Sequence, residues 1–541
     1  MLVTTSSGRL QGCRDKNVHA FFAIPYAAPP TGQQRWRPPL PTERWRGIRK
    51  ADQPGAIAPQ LLPNPGAILP GDPTEMSEDS LSLNIWTPSL DDGKRPVMVW
   101  VHGGGFSSGS GSSQIYNGAL LAELHNVVVV TINYRLGILG FLAHPNLYEA
   151  SHRSMGNWGL LDQMSALKWV RKNIASFGGD PNNITVFGES AGGMGISALL
   201  NYSVEEIDAD HAIVQSGPPI VQPLKEATKV AEQVASSLGL SSVDRTSLSK
   251  VPISELLEVQ ASLNNVSLAE RINPLGLTFM PVADAGLLDD TLMQSLPRRR
   301  KKQPIALLAG SNLDEAKLFA LSEPQLQNLT HESLKEILTA SLRLRKTVLG
   351  LPEPSLISHK PSVNKLKSPD NEEAADALLD GYAEARRRRG QSTEPFELWA
   401  AIASDWIFRV PTIAMVARHV KSGGTAFAYL FTWQSPILGD RLGSCHALEV
   451  PFVFSTFDVA LIRSLVGSDP DTIELSTRIQ DAWSSFASHG TPSSSKLPKW
   501  DPYTVEEGTT MVLDRECKLL SAPFDEEVHL WEIDSLGDVA Q

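Results

Sequence analysis

Several stretches of this chain are unbroken apolar runs: RPVMVWVHGG (95–104), NVVVVTINYR (126–135), NITVFGES (183–190), HAIVQSG (211–217), PIALLAGSN (304–312) and TAFAYLFTW (425–433). Continuous runs of this length, without polar alternation, predict central strands covered on both faces. Between them the period changes. Over 159–176, Leu160, Met164, Leu167, Val170 or Arg171, and Ile174 recur every three to four positions, the stripe of a helix that FGGDP then ends. Strands alternating with helices predict an α/β fold, with a mostly parallel central sheet and helices on both faces. The first ninety residues, rich in Pro and Gly, read as irregular or as a small antiparallel region. Residues 218–300 and 314–423 read as large helical insertions between core strands, and SHKPSVNKLKSPDNEE (358–373) as an exposed loop. No repeat or linker interrupts the pattern, so 1–541 is expected to be a single domain with a helical cap.

Composition narrows the function. With 42% hydrophobic residues, a chain of 541 buries a large core. Its 60 acidic against 48 basic residues give a net charge of −12, which disfavours nucleic acid as a partner. Two basic runs, Arg298 to Lys302 and Arg386 to Arg389, read as solvated surface. No stretch of eighteen apolar residues predicts a membrane span, and MLVTTSSGRLQGCRD at the start has no signal-type apolar core. A cytoplasmic location is therefore expected. Cys13, Cys445 and Cys517 are too few and too widely spaced for a disulfide framework or a metal site, so neither metal nor cofactor is expected.

Candidate chemistry begins at VFGESAGGMG (186–195), where Ser190 lies between glycines just past a predicted strand. Gly-x-Ser-x-Gly between a strand and a helix is the nucleophile-elbow pattern: small neighbours let strand and helix approach while the hydroxyl stands clear. The same residues also make ordinary turns, so the pentapeptide needs support. VHGGGFSSGS (101–110) supplies it, because consecutive glycines can point N–H groups into one cavity. Such donors stabilise charge that develops only in the transition state, each by roughly 3 kcal/mol. Gly104, Gly105 and Ala191 are the expected donors. A serine hydroxyl also needs a base held by an acid, in the chain order Ser, acid, His. Of His331, His359, His419, His446 and His489, only His446 sits in a glycine-containing loop after a late strand. In IALLAGSNLDEAKLF both Asp314 and Glu315 follow a strand, and the residues alone do not choose between them.

Together these segments resemble the type-B carboxylesterase/lipase family, which includes the cholinesterases and has the α/β-hydrolase fold. The likeness also covers FFAIPYAAPPTGQQRWRPP, SEDSLSLNIWTP, VTINYRLGILGFL, GNWGLLDQMSALKWVRKNIASFGGDPNNITVFGESAGG, HALEVPFVF and WDPY, in that order. The resemblance implies Ser190 as nucleophile, His446 as base and Glu315, not Asp314, as acid. It also implies Gly104, Gly105 and Ala191 as the oxyanion hole, with Arg35–Glu78 and Arg135–Asp162 as structural ion pairs.

The departures are informative. Ser80 stands where the family has the cysteine that closes an early loop, and no cysteine lies between 51 and 80. In cholinesterases that loop carries a tryptophan for the quaternary ammonium; here it has no aromatic residue but Ile57, Leu61, Leu62, Ile68 and Leu69. The expected substrates are therefore neutral esters of small to medium size, unless an aromatic such as Trp36 or Trp433 takes over the cation site. The rival expectation is a lactonase, thioesterase or acyl transferase with the same acyl-serine. Adhesion members of the fold typically lack triad residues, all of which are present here.

Overall fold

The structure is a computed structural model that describes the chain except for residues 62–74, 152, 203–206, 265–275, 289–304, 322, 345–370, 440 and 532–541. The apolar runs form strands of one eleven-stranded sheet. In chain order these are β1 (Cys13–Asp15), β2 (Val18–Pro25), β3 (Ser82–Thr87), β4 (Arg95–Val101), β5 (Val128–Ile132) and β6 (Gly179–Glu189). They continue with β7 (His211–Gln215), β8 (Ala306–Asn312), β9 (Ala426–Phe431), β10 (Thr509–Leu513) and β11 (Lys518–Ser521). Across the sheet the order is β11-β10-β9-β8-β7-β6-β4-β5-β3-β2-β1. Pairing is parallel from β5 to β10 and antiparallel at both margins, so the early residues do form the expected antiparallel region.

Both faces are covered because successive strand residues point to opposite sides. On β4, Val97, Val99 and Val101 join a core with Leu160, Met164 and Val170, whereas Met98 and Trp100 join another with Ala482, Trp483 and Phe486. Leu160, Met164 and Val170 lie on α1 (Trp158–Asn173), the helix predicted from their spacing. Its end differs from the reading of FGGDP. A 3-10 turn, Ile174–Phe177, follows α1 and Gly178 closes it at φ 79°, but Gly179 to Pro181 already belong to β6. Pro181 is accommodated where the register with β4 shifts, between Arg95 and Val97.

The described parts of the two insertions are mainly helical. The first holds Leu224–Ser237 and Ile253–Asn264, together with a two-stranded parallel sheet between Gln222–Pro223 and Val282–Ala283. The second holds α3 (Asn371–Arg388), α4 (Pro395–Ser404), a π-helical turn at Asp405–Arg409 and α5 (Val410–Lys421). Residues 358–370 of the expected loop lie outside the described residues, and 371–373 are already the first turn of α3. By length and composition, Pro395–Lys421 passes for a membrane-crossing helix, but 83% of its most apolar window is buried within the fold.

The basic run 298–302 lies outside the described residues. The other is less solvated than expected: Arg386 pairs with Glu397, Arg388 with Glu384 and Glu526, and Arg389 with Glu527. Only 12% of the Arg386 side chain is exposed. Both predicted structural ion pairs form. Arg35 grips Glu78 through Nε and Nη2 at 2.6 and 2.5 Å, and Arg135 grips Asp162 through the same atoms at 2.7 Å each. In the segment without a disulfide, backbone hydrogen bonds from Ile57 N to Glu75 O (2.8 Å) and from Ser77 N to Ile57 O (2.9 Å) clasp the two ends together.

Asp162 is wholly buried and Arg135 is 3% exposed, so removing the carboxylate strands a guanidinium in the core. Asp162→Ala should cost about 3–5 kcal/mol, read as a lower urea midpoint. Replacing both partners by apolar residues, Arg135→Met with Asp162→Leu, should recover much of that loss.

Candidate active site

Strand β6 ends at Glu189, helix α2 (Ala191–Tyr202) begins two residues later, and Ser190 between them has φ 53°. That left-handed conformation is uncommon for a serine and is held in place by its surroundings. Ser190 N donates to Gln215 O at 3.0 Å, and Met194 N to Ser190 O at 2.7 Å. The glycines are required by space: a Cβ on Gly192 would lie 2.0 Å from Val101 O, and one on Gly193 2.9 Å from Gln215 O. Ser190 itself is half-buried and reachable.

The glycine loop after β4 faces this turn, since a Cβ on Gly103 would lie 3.0 Å from Ser190 Cβ. Gly104 and Gly105 both have positive φ, 105° and 58°, which glycine adopts without strain. Gly104 has a second reason, because a Cβ there would meet Ser108 O at 2.2 Å. His102 anchors the loop from below, stacked on Tyr134 with ring centroids 4.6 Å apart while Tyr134 Oη donates to His102 O at 2.9 Å. Burial lowers the His102 pKa to about 4, so this imidazole stays neutral.

Glu315, rather than Asp314, meets His446: its Oε2 lies 2.5 Å from His446 Nδ1. The other oxygen, Oε1, accepts from Ser216 Oγ (2.5 Å) and Asn312 N (2.8 Å). Asp314 has a structural place, accepting from Ser444 N at 2.9 Å and pairing with Lys317 at 3.2 Å. The remaining described candidate histidines lie elsewhere: His419 Nε2 is 2.9 Å from Ile305 O, and His331 and His489 sit at helix ends. His359 lies outside the described residues.

Several polar groups were not singled out from the sequence. Glu189 Oε1 sits 3.0 Å from His446 Nε2, but neither atom makes a well-directed hydrogen bond. Glu449 accepts from Gln215 Nε2 at 2.9 Å and from Asn312 Nδ2 at 2.7 Å. The Phe319 and Phe408 rings each lie 4.9 Å from the His446 ring. Their only sequence signal is position: Glu189 precedes Ser190, and Phe319 follows Glu315 by one helical turn. Burial lowers the His446 pKa, but Glu189 and Glu315 outweigh it and bring the value up to about 9. Burial also raises Glu189, to about 8.

A parallel sheet with a strained strand-to-helix serine, a facing glycine loop and a carboxylate–imidazole pair from later strands defines an α/β-hydrolase of the serine type. The chain matches the Carboxylesterase family over residues 1–531 and belongs to it. It is 34% identical over 530 residues to the para-nitrobenzyl esterase of Bacillus subtilis (strain 168), covering 97% of each chain. It is 31% identical over 526 residues to the phenmedipham hydrolase of Pseudarthrobacter oxydans, covering 95% of this chain and 94% of that one. A solved structure of the Geobacillus stearothermophilus carboxylesterase EST55 superposes with a TM-score of 0.81 at 32% identity, covering 98% of this chain and all (100%) of the other. The protein is an enzyme that hydrolyses carboxylic esters.

His446 is the candidate general base; a base must be neutral to accept a proton, so its raised pKa places the expected acid limb of the pH–rate profile higher. kcat/KM should therefore keep rising above the ordinary imidazole value of 6.5. Glu189→Gln removes one of the two anions beside the ring and should move that limb down by about one pH unit. An unmoved limb would show that Glu189 carries no charge over that range.

Proposed function

We propose that Ser190, His446 and Glu315 form the catalytic triad of a carboxylesterase acting on neutral esters of small to medium size. The observation that carries this reading is the buried Glu315–His446 pair, whose Nε2 edge faces Glu189, the residue next to the strained Ser190. Ser190 Oγ attacks the ester carbonyl carbon while His446 Nε2 takes its proton, and Glu315 holds Nδ1–H and stabilises the imidazolium. The carbonyl oxygen becomes an oxyanion that accepts hydrogen bonds from the N–H groups of Gly104, Gly105 and Ala191. The C–O bond to the alcohol then breaks, and His446 returns the proton to the departing oxygen. Water repeats the sequence on the acyl-serine, releasing the acid and restoring Ser190.

The preference for neutral substrates rests on the surfaces near the site. Leu277 approaches Gly105, where a Cβ would lie 3.1 Å from its side chain; in the clasped segment Ile57 is buried and Leu61 half-buried. Leu62, Ile68 and Leu69 fall outside the described residues. Neither tryptophan offers a free face: Trp36 is fully buried, and the Trp433 ring is covered by Arg515 at 4.5 Å. A relative named for para-nitrobenzyl ester hydrolysis is in keeping with this reading.

Ser190 should be the residue labelled stoichiometrically by a fluorophosphonate, located by peptide mass spectrometry, and Ser190→Ala should abolish turnover of p-nitrophenyl butyrate. Labelling at another residue would overturn the assignment. For the substrate, kcat/KM for an isosteric neutral butyrate ester should match or exceed that for butyrylcholine at physiological salt. A desolvated cation–π contact is worth about 2 kcal/mol, so an aromatic serving the cation would reverse the order by roughly thirtyfold. Phe319, 39% exposed beside His446, would be the ring responsible.

A further inference from the structure

Residues 35–50, RWRPPLPTERWRGIRK, carry six cations against one acid, Glu43, in a chain whose net charge is −12. Two of the six are held within the fold, Arg35 by Glu78 and Arg37 by Glu149. The other four, Arg44, Arg46, Arg49 and Lys50, are exposed, as are Arg9 and Lys172 nearby. Arg9, Arg44, Arg46, Lys50 and Lys172 form no ion pair among the described residues. Main-chain pairing gathers them. Arg9–Gln11 runs parallel to Ile48–Lys50, with Arg9 opposite Ile48 and Gln11 opposite Lys50. By strand alternation these four share one face of a small sheet. All four are exposed, Ile48 by 45%, whereas Leu10 between them is fully buried.

Trp45 ties the neighbouring segments to this sheet. Its N donates to Ser7 O at 2.9 Å and its Nε1 to Arg9 O at 3.0 Å, while the Arg49 guanidinium carbon lies 5.8 Å from its ring centre. Ser6 N donates to Asn173 Oδ1 at 2.8 Å, which brings the last turn of α1, with Lys172, alongside. Arg44, Lys172 and Leu40, the last 47% exposed, line one groove of about 760 Å³. The whole face lies at the opposite end of the central sheet from Ser190. α1 ends here, and the chain passes through Ile174–Phe177 into Gly179, the first residue of β6. Gly179 pairs with Arg95 and Gly188 with Val101, so the seven residues of β4, about 20 Å, separate this face from the Ser190 turn.

We propose that this face seats the enzyme on an anionic lipid surface, its cations among the headgroups and Ile48 and Leu40 in the interfacial layer. Charge alone would serve a nucleic acid or an acidic protein equally well. Here aliphatic side chains stand exposed among the cations, and Trp45, half-buried between them, is a ring with an apolar body and a polar edge. At physiological salt a charge is felt over about 8 Å. The local cations, not the net charge of the chain, therefore set the attraction to headgroups. Docked this way, the enzyme keeps the Ser190 end turned away from the bilayer, toward dissolved esters rather than the lipids beneath it.

The test is cosedimentation with phosphatidylcholine vesicles containing about 30% phosphatidylglycerol, against vesicles of phosphatidylcholine alone, at physiological salt. Binding should appear with the anionic vesicles only. Arg44→Glu combined with Arg46→Glu should weaken it by on the order of thirtyfold or more, and Ile48→Ser severalfold. Both should leave turnover of p-nitrophenyl butyrate in solution unchanged. Duplex DNA and polyglutamate, matched in charge to the vesicles, should not displace the enzyme. Independently of the variants, hydrogen exchange of vesicle-bound wild-type enzyme should slow over 44–50 and stay unchanged over 101–110. None of these binding measurements depends on which residue is the nucleophile. The proposal is overturned if anionic vesicles do not bind or neutral ones bind equally, if either variant folds and binds undiminished, if either polymer displaces the enzyme, or if exchange slows over 101–110 instead.

Discussion

Helix α2 lies so close to strand β4 that the carbonyl oxygen of Val101 occupies the place a side chain at 192 would take, 2.0 Å from an added Cβ. That approach fixes the catalytic end of the molecule. It forces the chain to reverse within one residue, which puts Ser190 at φ 53° with its side chain clear of both elements. Val101 is also the last residue of β4, so the strand that sets the turn leads directly into the glycine loop facing it. Ser190 and the candidate oxyanion donors therefore share one reference point. Their relation is set by main-chain packing between adjacent parallel strands, which tolerates little drift.

Around that turn the sheet places three carboxylates, Glu189, Glu315 and Glu449, near one imidazole, all nearly inaccessible to water. Their surroundings differ. Glu315 and Glu449 each receive hydrogen bonds at both oxygens from fixed neighbours, whereas Glu189 Oε1 has no hydrogen-bond donor among the described residues. Similar groups are thus given different tasks by what each accepts, as in other sites where paired acids are separated by environment. Glu315 is oriented for the imidazole, Glu449 ties Gln215 and Asn312 at neighbouring strand ends, and Glu189 is the carboxylate whose neutral form burial favours.

The parallel sheet was legible because its strands are short, continuous apolar runs, a pattern that covered central strands produce and surface strands do not. Ser190, Gly104, Gly105 and His446 were legible because glycine spacing and loop position carry their physical meaning locally. The choice between Asp314 and Glu315 was not, since it depends on which side chain faces a loop 130 residues away that donates from Ser444 N. Glu189, Ser216 and Phe408 were missed for the same reason: their significance lies in contacts across strands, and an isolated acid, hydroxyl or ring has no period to announce it. Arg386 and Arg389 misled in the opposite direction. A run of arginines resembles solvated surface until the acids on α4 and Asp525–Val528 are brought beside it.

The clasp at Ile57 also changes how the early segment can evolve. Where a disulfide fixes two positions covalently, here two main-chain hydrogen bonds close the segment, each contributing about 1 kcal/mol net. Main-chain pairing demands only that 57 and 77 keep an N–H, which excludes proline, and lengthening such a loop adds little closure entropy, about 0.6 kcal/mol per doubling. Residues between the clasped ends are thereby released from a two-site cysteine requirement that would have to change in concert. The sequence between the clasped ends can accept single substitutions and insertions one at a time, and so diversify without passing through a half-bonded intermediate.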